Sequence, residues 1–291
     1  MHRRSTGLLQ PVDDQRRTAR CWMAKESGQR ALPKHVGVDE TSFRKRHDYV
    51  TVVIDQDADT VVHVADGRKR ETLRDFFDGF PVEQRQAVES VAMDMWDPYI
   101  RAVVAAIPDA DRKIAFDRFH IARHMGEAVD RVRRREHKEL KAQHVNPLTG
   151  TRYLWLRNPE ALEVARLEQL DELRASSLKT ARAWAIKEMA RSLWHYRTRG
   201  WARQAWLQWY GWAIRSRLEP IREVARMVKR HLEGIVNAVV LGVTNARSEG
   251  INAKIQWIKY TARGFRNRKR FRNAIYFHLG GLDLYPRPSA A

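Results

Sequence analysis

Three short segments rich in β-branched residues, VGVDETSF (36–43), HDYVTVVID (47–55) and DTVVHVADG (59–67), follow one another across turn-sized gaps, and they constrain the fold more than anything else in the chain. β-branched side chains fit a pleated, half-buried surface, and short gaps let successive strands pair antiparallel. A three-stranded meander is predicted. RETLRDFFDGF (70–80) then sets Leu73, Phe76 and Phe77 at helical spacing, and Pro81 closes that helix. A strand over 88–94, a helix from near Pro98 and a short strand over 113–116 complete the order β-β-β-α-β-α-β. Strands alternating with helices after a meander predict an α/β fold, a mixed sheet covered on both faces.

From about 121 to 232 the strand signals disappear, and the chain reads as helix broken at HVNPLTG (144–150), Asn158-Pro159, Gly200 and Pro220. This stretch is comparable in length with the α/β part before it, which predicts a large all-α lobe inserted into the first domain. The chain then returns to that domain with VVLGVTNARSEGINAKIQWI and a last basic helix. The expected organisation is a polar tail over 1–34, the first part of the core over 35–120, the all-α insertion over 121–240 and the second part of the core over 241–291. A chain of 291 residues can bury one core large enough to carry such a lobe.

With 54 Lys and Arg against 35 Asp and Glu the formal net charge is +19, which attracts a polyanion, nucleic acid first. No apolar run approaches the roughly 20 residues that span a bilayer. The start MHRRSTGLLQPVDDQ lacks the apolar stretch of a secretory signal. A cytoplasmic location with no membrane partner is therefore expected. Cys21, the only cysteine, excludes an internal disulfide and a Cys-based zinc site within one chain. His120 and His124 have the spacing of a zinc helix, but the Glu of HExxH does not follow His120.

Three carboxylates stand out by joint placement. Asp39 lies in the first predicted strand, where alternation sends Asp39 and Glu40 to opposite faces. Asp94 ends the run Val91-Ala92-Met93 at the carboxyl edge of a strand, where open α/β sheets place ligands. Asp97, just before Pro98, is assigned to helix capping. Glu249 lies near the start of a helix whose apolar stripe is Ile251, Ile255 and Ile258, on a different side shared with Ala246 and Ala253. Singly, each acid reads as a cap, a surface charge or an ion-pair partner. Asp117 and His120, in FDRFH, fall where the fifth strand turns into the long helix, as a cap and an orienting side chain in a supporting role. In the helical stretch Trp184, Trp194, Trp201, Trp206, Trp209 and Trp212 alternate with Arg182, Arg191, Arg197, Arg199 and Arg203. Their spacing favours a Trp-rich core over base stacking. Lys259, Arg263, Arg266, Arg268, Lys269, Arg270 and Arg272, interleaved with Tyr260, Phe265 and Phe271, are candidates for DNA-phosphate contact, and Arg131, Arg133, Arg134 and Arg135 form a second cluster.

The segments GVDETSFRKRHDYVTVV, VAMDMWDPY, FDRFHIARH and TNARSEGINAKIQWIKYTARGFRNRKRFR resemble, in order, the catalytic domain of the ISL-three family of bacterial insertion-sequence transposases. That family belongs to the DDE group and has a ribonuclease-H-like fold. The resemblance runs from about 35 to about 280. It implies that Asp39, Asp94 and Glu249 are the catalytic, metal-binding acids, that Asp117 and His120 lie close to them, and that the all-α lobe is the family's insertion. It implies DNA as the partner, assembly of copies on DNA, an association with the bacterial nucleoid and metal-dependent strand cleavage and transfer. Two Mg²⁺ or Mn²⁺ ions suit an all-oxygen site and clamp the attacking and leaving oxygens of a phosphodiester exchange. Full-length relatives carry an amino-terminal zinc-binding segment and a helix-turn-helix region, and the first 34 residues leave room for neither. A catalytic module without its recognition region is expected, with an inactive DNA-binding remnant or a host nuclease of the same fold as alternatives.

Overall fold

The computed structural model describes residues 31–44, 48–243 and 246–281, so most of the predicted tail, Cys21 included, lies outside the described residues. Strands β1 (His35–Arg44), β2 (Asp48–Asp55) and β3 (Thr60–Asp66) form the antiparallel meander, with Asp39 opposite Val52 and Val52 opposite Val64. Helices α1 (Arg70–Asp78) and α2 (Val82–Gln86), strand β4 (Ser90–Met93), helices α3 (Asp97–Ala106) and α4 (Ala110–Lys113) and strand β5 (Ile114–Phe116) follow. The five strands make one mixed sheet in the order β3-β2-β1-β4-β5. Helices α2 and α4 have five and four residues, too few to show a helical period in sequence. Asp97 is not the cap of α3. Trp96 holds that position, and Asp97 sits in the first turn, paired with Arg101 at 2.9 Å.

The helical stretch comprises α5 (Arg118–Ala142), α6 (Arg152–Leu156), α7 (Val164–Ala175), α8 (Lys179–Ser192), α9 (Arg199–Arg215), α10 (Glu219–Arg230) and α11 (Leu232–Leu241). Two further helices, α12 (Ala246–Thr261) and α13 (Arg268–Leu279), end the described chain. The basic residues from Lys259 to Arg272, read in sequence as one last helix region, are thus divided between the two helices by a turn in which Arg263 and Gly264 both take positive φ. By contact density the described residues divide into one unit drawn from 31–91, 96–110 and 246–281 and another drawn from 92–95 and 111–243.

In the first unit one face of the meander, with Phe43, Val50, Val52, Ile54, Val61 and Val64, packs against Ile251 and Ile255 of α12 and Phe271 and Ile275 of α13. The predicted stripe Ile251, Ile255 and Ile258 is buried throughout. Burial of ten such side chains, each stabilising by about 1.5–3 kcal/mol, holds both terminal helices to the sheet. Leu73 and Phe77 of α1 and Tyr99, Ala102 and Val103 of α3 are also buried.

The second unit has the expected tryptophan core. Trp155, Trp206 and Trp209 are fully buried, and Trp194, Trp206 and Trp209 stack edge to face at 5.4 and 5.5 Å. The Trp209 indole donates to the Ile186 carbonyl at 2.9 Å. Trp201 and Trp212 remain exposed. The buried Glu136 carboxylate accepts from the backbone amides of Lys179 and Thr180 at 2.6 and 2.7 Å, satisfying the donors that open α8. Strand β5 lies against α11, where Asn237 donates to the carbonyls of Asp111 and Ile114. Gly234 permits this approach, because a Cβ there would stand 2.4 Å from the buried Phe116 ring.

Alanine is the better helix former by about 1 kcal/mol, whereas forcing a methyl into a closed contact costs about 1–3 kcal/mol. Packing therefore outweighs propensity at Gly234. Gly234→Ala is expected to lower unfolding stability by about 1–2 kcal/mol. Gly250→Ala, on α12 with nothing within 4 Å of its Cβ position, is expected to raise it by up to about 1 kcal/mol. Urea melts of the two variants should move in opposite directions, and a neutral or stabilising Gly234→Ala would refute the close approach.

Candidate functional site

Asp39 sits mid-strand on β1, on the face that meets α12. Its Oδ1 accepts from the Glu40 amide at 2.7 Å, and its Oδ2 accepts from Asn252 Nδ2 at 2.6 Å. Glu40 points the other way, as alternation requires, and pairs with Arg68 at 3.2 Å. The Arg68 guanidinium is itself held between the rings of Tyr49 and Trp96, 4.7 and 4.8 Å from their centroids. Two adjacent acids thus meet different surroundings. Both are felt at Tyr99, whose phenol burial pushes well above its ordinary value, with the Glu40 and Asp39 charges adding to the rise.

Asn252 belongs to a polar stripe that runs along α12 beside its apolar one. Gln256 Nε2 donates to Thr41 Oγ1 at 2.7 Å, and Lys259 Nζ donates to the Ser42 carbonyl at 2.6 Å. The stripe 252, 256, 259 therefore meets 39, 41, 42 in step, fixing the register of helix against strand. Below it Gly37 lets Ser248 approach, since a Cβ at Gly37 would lie 2.7 Å from Ser248 Oγ. Glu249 heads the same stripe, three residues before Asn252, and is solvent-exposed. Partial burial against the strand lowers the pKa of Lys259.

Asp94 follows β4 and is half-exposed, its Oδ1 accepting from the Met95 amide at 2.6 Å. His120 Nδ1 stands 3.7 Å from the same oxygen. His120 is in the first turn of α5, whose N-cap is Asp117: Asp117 Oδ1 accepts from the Phe119 amide at 3.2 Å. The cap expected at Asp117 is present, and its other oxygen, Oδ2, is buried with no hydrogen-bond partner. Among the described residues no group of three or more His, Cys, Asp or Glu side chains is gathered to hold a metal ion by itself.

Of the other predicted contact residues, Arg268 pairs with Asp48 and Arg272 with Asp66. Arg263, Arg266, Lys269 and Arg270 are exposed, and none of them forms an ion pair among the described residues. In the second cluster, Arg131 pairs with Glu223 and both Arg133 and Arg134 with Asp130. Sequence reasoning missed Asn252. Its signal was its spacing, i+3 from Glu249, which puts both on one helix face.

A five-stranded mixed sheet in the order β3-β2-β1-β4-β5, accompanied by helices, is consistent with a ribonuclease-H-like transposase fold. Residues 36–275 match the family model of the ISL3 DDE transposases, described as "Transposase", and the chain belongs to that family. It is 32% identical over 241 residues to the transposase for insertion sequence element IS1001 of Bordetella parapertussis, a match covering 82% of this chain and 59% of that one. It is 29% identical over 257 residues to the transposase for insertion sequence element IS1557 of Mycobacterium tuberculosis, covering 80% and 57%. The chain thus spans less than three fifths of the length of these relatives.

Asn252→Asp tests the Asp39 clamp. Two carboxylates in contact raise the folded-state pKa of one of them, so stability is lost above that pKa and regained as pH falls through it. The variant is expected to be less stable than the parent by about 1–3 kcal/mol at neutral pH, with the gap closing in acid. A gap that stayed constant with pH would show that the two side chains do not meet.

Proposed function

We propose that this chain is the catalytic part of a DNA transposase, and that Asp39, Asp94 and Glu249 are the acids that bind Mg²⁺ or Mn²⁺. The observation that carries the reading is the Asp39–Asn252 contact. It ties the strand bearing the first acid to the helix bearing the last, one turn after Glu249, while Asn252 Oδ1 is left buried without a hydrogen-bond partner. A buried, unsatisfied oxygen is costly and calls for a counterpart, and a cation is one. Asp117 Oδ2, at the cap of the helix that carries His120, is a second such oxygen. A set of carboxylate and amide oxygens fits hard divalent cations rather than zinc. Acids that would share cations repel one another without them, so cation binding and the final ligand geometry are coupled.

When bound, such ions supply Lewis acidity and an activated water or 3′-hydroxyl for phosphodiester exchange. The protein's contribution is positional. Asn252 and the Glu40 amide orient the Asp39 carboxylate, the Met95 amide orients Asp94, and the 252–256–259 clamp fixes the angle at which α12 presents Glu249. His120, 3.7 Å from Asp94, stands beside that carboxylate and would help to orient it. DNA, the proposed substrate, would be held by its phosphates at Arg263, Arg266, Lys269 and Arg270. Lys259, Arg268 and Arg272 serve the fold.

Asp39→Asn, Asp94→Asn and Glu249→Gln are each expected to abolish Mg²⁺-dependent nicking of supercoiled DNA while leaving the protein folded, because a ligand is removed and not core packing. Without metal, Asp94→Asn and Glu249→Gln should melt as the parent does, and Asp39→Asn slightly lower, since one of its two acceptor oxygens is lost. Mg²⁺ should raise the melting temperature of the parent and not of the variants. Equal stabilisation of all four would sink the assignment, and a parent that binds DNA but never nicks it would be a DNA-binding remnant.

Replacing Arg266, Lys269 and Arg270 together by Ala is expected to weaken binding to duplexes of any sequence. The slope of log affinity against log salt should flatten by roughly one unit per lost phosphate contact. The same measurement on Arg268→Ala should show the smaller change, since that side chain is engaged by Asp48.

A further inference from the structure

The far end of α12 exposes two large aromatic side chains. Trp257 is 63% and Tyr260 83% exposed, three residues apart and therefore on neighbouring positions of one helix face. Single exposed aromatics are common, but a pair leaving this much apolar surface in water is disfavoured unless something covers it. The helix ends immediately beyond them in a fixed turn. The Gly264 amide donates to the Lys259 carbonyl at 2.8 Å and the Arg263 amide to the Tyr260 carbonyl at 3.0 Å, with Arg263 in the left-handed region at φ 52°. Glycine is the residue that this cap position favours, and Arg there costs about 1 kcal/mol. The chain carries that cost and gains a cation beside Tyr260. Gln256, Lys259, Tyr260, Thr261, Arg263 and Gly264 line an open depression at the same place.

What covers the aromatics is indicated by charge. Residues 250–281 contain eight Lys and Arg and no Asp or Glu. Three of the cations, Lys254, Arg268 and Arg272, are paired with acids from the meander, and Lys259 is turned onto β1. Arg263, which lines the depression together with Tyr260, is exposed, as are Arg266, Lys269 and Arg270 in the residues that follow, so a polyanion is the occupant that the charge favours. Aromatic faces can stack only on bases that are not already stacked within a duplex. We propose that Trp257, Tyr260 and Arg263 form a binding site for unpaired nucleotides of DNA, with the rings stacking on bases and the arginines holding the flanking phosphates. The site rests on the reading of the chain as a DNA-processing protein and adds a preference for strand-separated DNA. Eleven residues separate Tyr260 from Glu249, roughly 16 Å along the helix axis, or roughly five nucleotides at duplex spacing. The unpaired segment is thus adjacent to the proposed cleavage position and not at it.

The test compares the whole chain binding, with divalent metal chelated, to a plain duplex and to the same duplex ending in an unpaired arm that carries 2-aminopurine. The parent is expected to bind the armed DNA more tightly and to quench the 2-aminopurine. Trp257→Ala with Tyr260→Ala should lose that preference, about tenfold for each stacked base, while keeping its affinity for the plain duplex. Trp257→Phe with Tyr260→Phe should retain most of the preference, because the ring face and not the polar atom makes the contact. Equal binding of the two DNAs by the parent, or a preference that survives both alanines, would overturn the site. So would an alanine variant whose main change is loss of self-association in sedimentation, which would make the patch a contact between copies. A parent that shows the preference but never nicks would leave this site standing and sink the metal-site assignment instead.

Discussion

The first unit depends on the seam between β1 and α12. Its apolar half, Ile251 and Ile255 against the meander's valines and Phe43, supplies the driving force, which is non-directional and would tolerate a slip of the helix along the strand. Its polar half does not tolerate a slip. Asn252 on Asp39, Gln256 on Thr41 and Lys259 on the Ser42 carbonyl each need a particular partner, and moving the helix by one residue would leave half-buried donors unsatisfied. A hydrophobic contact thus provides the stability and three hydrogen bonds provide the register. Because Glu249 is one turn up the same stripe, the register of the seam also sets its position.

The second unit reaches a defined packing by other means. Its center is aromatic, with indoles in edge-to-face contact, and the helices around it are tied by polar groups that reach from one element to the backbone of another: Glu136 to the start of α8, Asn237 to the carbonyls around β5, Trp209 to the Ile186 carbonyl. Each buried polar atom replaces water with a backbone partner, which a slide or rotation of the helix would break. Gly234 contributes by having no side chain, letting Phe116 seat against α11.

The net charge of +19 is not spread evenly in its uses. Many arginines are structural. Arg131, Arg133 and Arg134 are matched by acids on their own or neighbouring helices, and Arg68 is held between two rings and a carboxylate. Unpaired, exposed cations of the first unit gather in residues 250–281, a stretch with no acid of its own. A composition reports the sum. Pairing decides which cations are left to meet a polyanion.

The sequence by itself determined the element types and much of their order, because side-chain periodicity is a local consequence of backbone geometry: the β-branched meander, the stripe Ile251, Ile255 and Ile258, and the capping role of Asp117 are all legible at short range. The opposite orientations of Asp39 and Glu40 were legible for the same reason. Helices of four and five residues were not, since one turn has no period, and the break between α12 and α13 was hidden because Arg263, and not glycine, takes the left-handed turn position. Which cations are engaged by the meander and which are not was also hidden: Lys259, Arg268 and Arg272 look like Arg266 and Lys269 in sequence, and differ only because Ser42, Asp48 and Asp66 arrive from the meander some two hundred positions away. The tertiary structure alone decided that Asn252 would hold Asp39. A hydrogen bond between residues 213 apart depends on a chain closure that no local pattern encodes, and the residue that orients the first acid became visible only once strand and helix had been packed together.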